Sequence, residues 1–246
     1  MKLTVVNSGS SGNSYLLTDS KGSSLLLEAG VHPDEVYRAM NYDVSGLCAV
    51  VCSHEHQDHA KYIRHYAERG RKVLALRETL EAAGCNGNNY CKPIEPMHGY
   101  KMGAFKILPF DVHHDVPCVG FVIEHPEMGK LLFATDTMML EYRFDGLNHI
   151  MIEANYSDEI VERDIDNGVV RSVMKDRLMT THLSLENAIG MLKANDLTNV
   201  NEIILIHLSD NNSEVGAFHD AVVRATGKPV YVAKKGLEVE VNKEVY

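Results

Sequence analysis

Residues 50–60 read VVCSHEHQDHA. An apolar run, CAVVC, delivers the chain into a segment where His54, His56, Asp58 and His59 fall within six residues. In an extended backbone, positions two apart project to the same side. His54, His56 and Asp58 can therefore converge, and His59 can join them from the first turn of a following helix. Imidazole nitrogens and carboxylate oxygens are the donors that borderline divalent metals take. A polar surface loop gives no reason for three histidines and an aspartate at these offsets.

Working outward, short β-rich runs come first: Leu3–Val6, Ser14–Thr18 and Ser24–Glu28, separated by the turn segments GSSGN and DSKG. Helical patterns follow over 33–40, 59–69 and 77–83, with a strand over 72–76. The stretch 84–103 reads as loop. The second half repeats the logic, with strands at 105–112, 120–124, 130–135 and 149–153. A long polar helix is expected over 157–174. A helix capped by Ser184 runs over 184–195. A buried strand, EIILIHLS, a helix over 215–226 and two closing strands complete the chain. Strands precede helices in each half, without a linker between them. This predicts one α/β domain over residues 1–246, with two β-rich halves face to face and helices outside.

Composition sets the limits. The chain has 246 residues, 45% hydrophobic and 24% charged, which is ordinary for a globular protein. No run of about 18 apolar residues could span a membrane. The N-terminus lacks the basic and apolar regions of an export signal. The five cysteines form no C-x-x-C pair, so free thiols and a cytoplasmic location are expected. A net charge of −10 argues against a surface built throughout to hold nucleic acid. Basic residues do gather at Arg64, Arg69, Arg71, Lys72 and Arg77, and at Arg171, Lys175 and Arg177. Such runs usually form a solvated face.

The pattern S-H-x-H-x-D-H after a strand resembles the metallo-β-lactamase superfamily of metal-dependent hydrolases. The resemblance implies a four-layer αββα sandwich and two divalent ions, Zn or Mn with Fe also compatible, sharing a bridging hydroxide. It also implies later ligands. In FDVHHDVPCVGF two histidines compete, His113 and His114, and the family's His-Asp pattern favours His114. Asp136 fits the bridging carboxylate in ATDT, and His207 the last ligand in EIILIHLSD. One ion would then take His54, His56 and His114, and the other Asp58, His59 and His207, with Asp136 between them. The family's usual L-L-x-D-x-G departs here to LLLEAG, so Glu28 replaces an aspartate that supports the ligands.

Further segments resemble tRNase Z and, more closely, small bacterial DNA exonucleases encoded near the cell-wall two-component system. These are the opening NSGSSGNSYLL, the segment IEANY with Tyr156 where the relatives have His, and HLSLEN. Asp58 and His182 are assigned to catalysis, with His182 beside the scissile group as a proton donor. Ser184, Asn187 and Asn13 are assigned to substrate, because a helix N-terminus and a Gly/Ser loop offer N–H groups to an anion. No insertion is long enough for a tRNA-gripping arm. The expected activity is cleavage of a phosphodiester in nucleic acid or a nucleotide-like molecule. Hydrolysis of an ester, thioester or lactone on the same fold, and a non-catalytic binding role, are the alternatives.

Overall fold

The computed structural model describes residues 1–167, 178–209 and 212–244. The first sheet is built from β1 (Lys2–Asn7), β2 (Ser14–Thr18), β3 (Ser24–Leu27), β4 (Leu47–Val51), β5 (Val73–Ala75), β6 (Cys91–Pro93) and β14 (Glu238–Glu240). The second contains β7 (Tyr100–Met102), β8 (Phe105–Asp111), β9 (Val119–His125), β10 (Gly129–Ala134), β11 (His149–Glu153), β12 (Glu202–Ile206) and β13 (Val230–Val232). Strand order is β14-β1-β2-β3-β4-β5-β6 in one and β13-β12-β11-β10-β9-β8-β7 in the other. Each sheet is antiparallel on one side and parallel on the other.

Alternation along the strands builds the layers. One set of side chains, including Leu3, Leu17, Leu27, Val51, Phe121, Phe133 and Ile204, fills the space between the sheets. The opposite set on the first sheet, Leu16, Leu26, Val50 and Val73, packs on Val36 of α1 (Pro33–Ala39), Ile63 and Tyr66 of α3 (Ile63–Glu68), and Leu80 of α4 (Arg77–Ala82). On the second sheet, Leu132, Ile150, Ile203 and Leu205 pack on Ile160 of α5 (Asp158–Asp166), Ala188 and Leu192 of α6 (Leu185–Ala194), and Phe218 and Val222 of α7 (Val215–Thr226). The result is the four-layer αββα sandwich. Strands buried on both faces read as near-continuous apolar runs, as KLLFA, HIMIE and EIILI do.

Three expectations change. The stretch read as loop over 84–103 contains β6 and β7, whose three-residue length leaves too little alternation to detect. The helix expected over 59–69 is two pieces, α2 (Gln57–Ala60) and α3. The helix expected over 157–174 is represented by α5, and residues 168–174 lie outside the described residues. So do Arg171, Lys175 and Arg177.

The short α2 carries Asp58 and His59, and backbone bonds pin it. Asp58 accepts from the Asn13 N–H (2.7 Å) and His59 from the Ala29 N–H (2.7 Å). Gly30 makes that approach possible, because a Cβ there would lie 1.7 Å from the Asp58 carbonyl oxygen. Replacing Gly30 by Ala must push α2 away from the strand ends. Gly30→Ala is expected to lose about 1–3 kcal/mol, the usual cost of overpacking, and to show weakened divalent-metal retention. Denaturant titration and metal analysis check this, and an unchanged midpoint with full metal content would contradict it.

Candidate metal centre

The cluster sits where strands of both sheets end. His54 follows β4, and Asp136 follows β10. Glu153 ends β11, and His207 comes directly after β12. His114 lies in the connection from β8 to β9, and His182 just before α6. Ligands in α/β sheets bind at such carboxyl ends because the chain turns there and frees its side chains. A cleft of about 270 Å³ opens over them, lined by Ser10, His56, Asp58, His114, Asp115, Asp136, Asn155, Leu178, Thr181, His182, His207, Leu208 and Ser209.

Two donor sets meet in this place. His54, His56 and His114 form one group whose donor atoms lie within 4.8 Å of one another. The His54 ring is 4.7 Å from the His56 ring and 4.7 Å from the His114 ring, centroid to centroid. Asp58, His59 and His207 form another. Asp58 Oδ2 is 3.1 Å from His59 Nε2 and 3.1 Å from His207 Nε2. Asp136 joins His54 and His59 in one cluster and Glu153, His182 and His207 in a second, and its Oδ2 is 3.1 Å from His59 Nε2. His113 stands apart from these groups, beside Glu141 at 3.2 Å and half exposed.

These residues suit divalent cations. His54 Nε2 is buried with no hydrogen-bond partner, a state that proteins rarely leave uncompensated. Its Nδ1 is occupied by Ser53 Oγ at 2.9 Å, which fixes the ring and leaves Nε2 as the free donor. His114 Nδ1 donates to the Thr181 carbonyl at 2.9 Å. Such partners fix ring orientation and tautomer in metal sites.

Charge in the cluster is balanced by shared protons. Burial alone would raise the pKa of Asp58 and Asp136, yet His207 and His59 hold both carboxyls well below the usual range. Burial opposes charge on His59, but Asp136, Asp58 and Glu28 raise it well above its ordinary value. His207 is likewise opposed by burial and pushed up to about 9 by Asp136, Asp58 and Glu153. Burial and then the neighbouring imidazoles push His54 well down. A bound divalent cation takes the place of such protons.

Glu28 is fully buried and adopts φ 63°. Its carboxylate accepts from the Ser53 N–H and the Cys52 thiol and lies 3.6 Å from His59 Nδ1. The extra methylene relative to aspartate is therefore accommodated within hydrogen-bonding distance of the strand that leads to His54.

Other assigned residues fall differently. Asn13 is buried, outside the cleft lining, with Nδ2 3.3 Å from Asp58 Oδ2 and 3.1 Å from His59 Nε2. Ser184 is buried and its hydroxyl accepts from the Asn187 N–H at 3.2 Å, so it caps α6 internally. Neither Ser184 nor the exposed Asn187 lines the cleft. Ser10 of the same Gly/Ser loop does.

Sequence reasoning missed Glu153. It is fully buried, and its Oε1 accepts from His182 Nδ1 at 2.7 Å and His207 Nδ1 at 3.1 Å. Its Oε2 accepts from the N–H groups of Thr137 and Leu183 at 3.2 and 3.1 Å. The segment IEANY held the signal, an acid ending an apolar strand. Its partners lie 29 and 54 residues away, which no local pattern reveals.

A family model described as the beta-lactamase superfamily domain matches residues 29–208. Exodeoxyribonuclease WalJ of Streptococcus pneumoniae is 27% identical, over 100% of this chain and 93% of that protein. The metallo-β-lactamase fold protein YhfI of Bacillus subtilis superposes with a TM-score of 0.71 at 18% identity, covering 97% of this chain and 99% of that one. The short form of human tRNase Z gives 0.65 at 12% identity, covering 98% and 99%. Among the described residues, no helix is long and apolar enough to cross a membrane. With donor clusters at its strand ends and a family match over residues 29–208, the chain belongs to the beta-lactamase superfamily and is a metal-dependent hydrolase of the metallo-β-lactamase fold.

Proposed function

We propose that this protein is a dinuclear metal-dependent phosphodiesterase acting on nucleic acid or a nucleotide-like diester, most closely in the manner of an exonuclease. The observation that carries this reading is His182, held by Glu153 at 2.7 Å on the wall of the cleft beside the donor cluster. In this reading, His54, His56 and His114 would hold one ion and Asp58, His59 and His207 the other, with Asp136 available to either. Divalent ions in such a pair supply water activation and neutralise charge on the phosphoryl group.

The chain's own residues do the rest. Glu153 accepts from His182 Nδ1, so Nε2 is the nitrogen left for the cleft that the ring lines. There it donates a proton to the departing sugar oxygen. Asn155 donates from Nδ2 to the His207 carbonyl at 2.8 Å and steadies that strand end. Ser10 and Ser209 line the cleft as polar contacts for phosphate oxygens. We read residues 1–246 as one domain, and two relatives that the chain covers nearly end to end are named as nucleases, which supports a nucleic-acid substrate.

Two outcomes test the reading. Metal-reconstituted protein should cleave bis-p-nitrophenyl phosphate or a short DNA strand with higher kcat/KM than an ester, a thioester, a lactone or a β-lactam. A lactone or thioester turned over far faster than every diester would overturn it. In the second, His182→Ala should retain its metals while kcat on a DNA strand falls by about 10²–10⁴-fold, the usual worth of a general acid. Activated p-nitrophenyl diesters, whose leaving group needs little protonation, should suffer less. His207→Ala is the contrast, losing metal as well as rate. Unchanged turnover of both substrates by His182→Ala would remove it from the mechanism.

A further inference from the structure

Cys85 and Cys91 are separated by the five residues NGNNY and lie on the far edge of the first sheet. Cys85 follows α4, and Cys91 opens the edge strand β6. Two turns fold the segment back on itself, with Asn88 N–H donating to the Cys85 carbonyl at 3.1 Å and Cys91 N–H to the Asn88 carbonyl at 3.0 Å. Gly84 and Gly87, at φ 66° and 73°, supply the reversals that an L side chain disfavours. Cys85 belongs to the apolar cluster beneath this edge, Cys91 packs against that cluster, and both line the same surface cavity of about 370 Å³. Cys85 is buried and Cys91 is half-buried, so a small reagent reaches Cys91 first.

We propose that Cys85 and Cys91 form a dithiol–disulfide site that exchanges with low-molecular-weight disulfides and, when oxidised, ties α4 to the edge strand β6. The Cys91 thiol loses its proton and attacks one sulfur of the small disulfide, forming a mixed disulfide at Cys91 while the other sulfur departs and takes up a proton as the first small thiol. The Cys85 thiol then loses its proton and attacks Cys91 Sγ, expelling the second small thiol. Two cysteines are oxidised to one disulfide, and one small disulfide is reduced to two thiols. Burial raises both thiols, Cys91 to about 12 with help from its neighbour, so neither is a standing thiolate and exchange is slow. The bond would close a short loop and restrain the exposed edge of the sheet, where a three-residue strand is otherwise held on one side. The metal centre is not involved, and the site stands independently of the proposed nuclease activity.

The test uses the full-length metal-loaded protein, incubated with oxidised glutathione at mildly alkaline pH, then alkylated and digested. The free thiols should fall from five to three. Chymotryptic cleavage after Tyr90 should leave two peptides joined through Cys85 and Cys91. Dithiothreitol should restore all five, and the oxidised protein should melt a few degrees higher. Cys85→Ser should instead accumulate a glutathione adduct at Cys91. A stable adduct at Cys91 of the unsubstituted protein with Cys85 still alkylatable would overturn the proposal. So would a bond to Cys48, Cys52 or Cys118, or no loss of thiols. The mapping on the unsubstituted protein decides the matter even if the variant fails to fold.

Discussion

His59 and His207 each face three carboxylates. His59 sits among Glu28, Asp58 and Asp136, and His207 among Asp58, Asp136 and Glu153. Glu28, Asp136 and Glu153 are almost wholly shut off from solvent. An unpaired buried carboxylate costs several kcal/mol, so four acids gathered at one joint demand compensating positive charge. The two imidazoles supply it as protons, and divalent ions would supply it in their place. That demand explains why the ends of β3, β4, β10, β11 and β12 must meet. Each delivers one part of a set that is costly apart and balanced together.

Meeting there strains the backbone. Glu28, Asp136 and His207 adopt φ of 63°, 48° and 54°, in the left-handed region that side chains other than glycine disfavour. The cost is about 1–2 kcal/mol for each residue. Each lies immediately or two residues beyond a strand, where the turn redirects its side chain toward the joint. Surrounding bonds hold these conformations. The His207 N–H donates to Ser8 Oγ at 2.9 Å, Thr135 Oγ1 donates to Asp136 Oδ2 at 2.6 Å, and the Glu28 N–H donates to the Val51 carbonyl at 2.9 Å. Strain at such positions is tolerated because the charge network over-determines them.

The sequence revealed whatever was local. His54, His56, Asp58 and His59 are close in the chain, and their spacing alone announced a donor set. Runs such as EIILI and KLLFA announced strands, and the order of strands and helices announced two β-rich halves face to face with helices outside, while the four-layer sandwich itself came from the family resemblance. What stayed hidden was long-range or small. Glu153 is unremarkable at the end of HIMIE until His182 and His207 arrive from distant elements. Asn13 belongs to a glycine–serine loop that reads as an anion cradle, yet its side chain turns inward to Asp58 and His59. The break between α2 and α3 leaves no mark in the apolar periodicity, because Tyr62 caps one helix while remaining partly buried.

The proposed dinuclear chemistry requires this joint to hold two cations. Anomalous diffraction from metal-loaded crystals, collected at the absorption edge of the bound element, tests it most directly. Two peaks per chain are expected, one among His54, His56 and His114 and one among Asp58, His59 and His207, with Asp136 reaching both. A single peak, or a second ion held by Glu153 and His182 in place of Asp58 and His59, would contradict it.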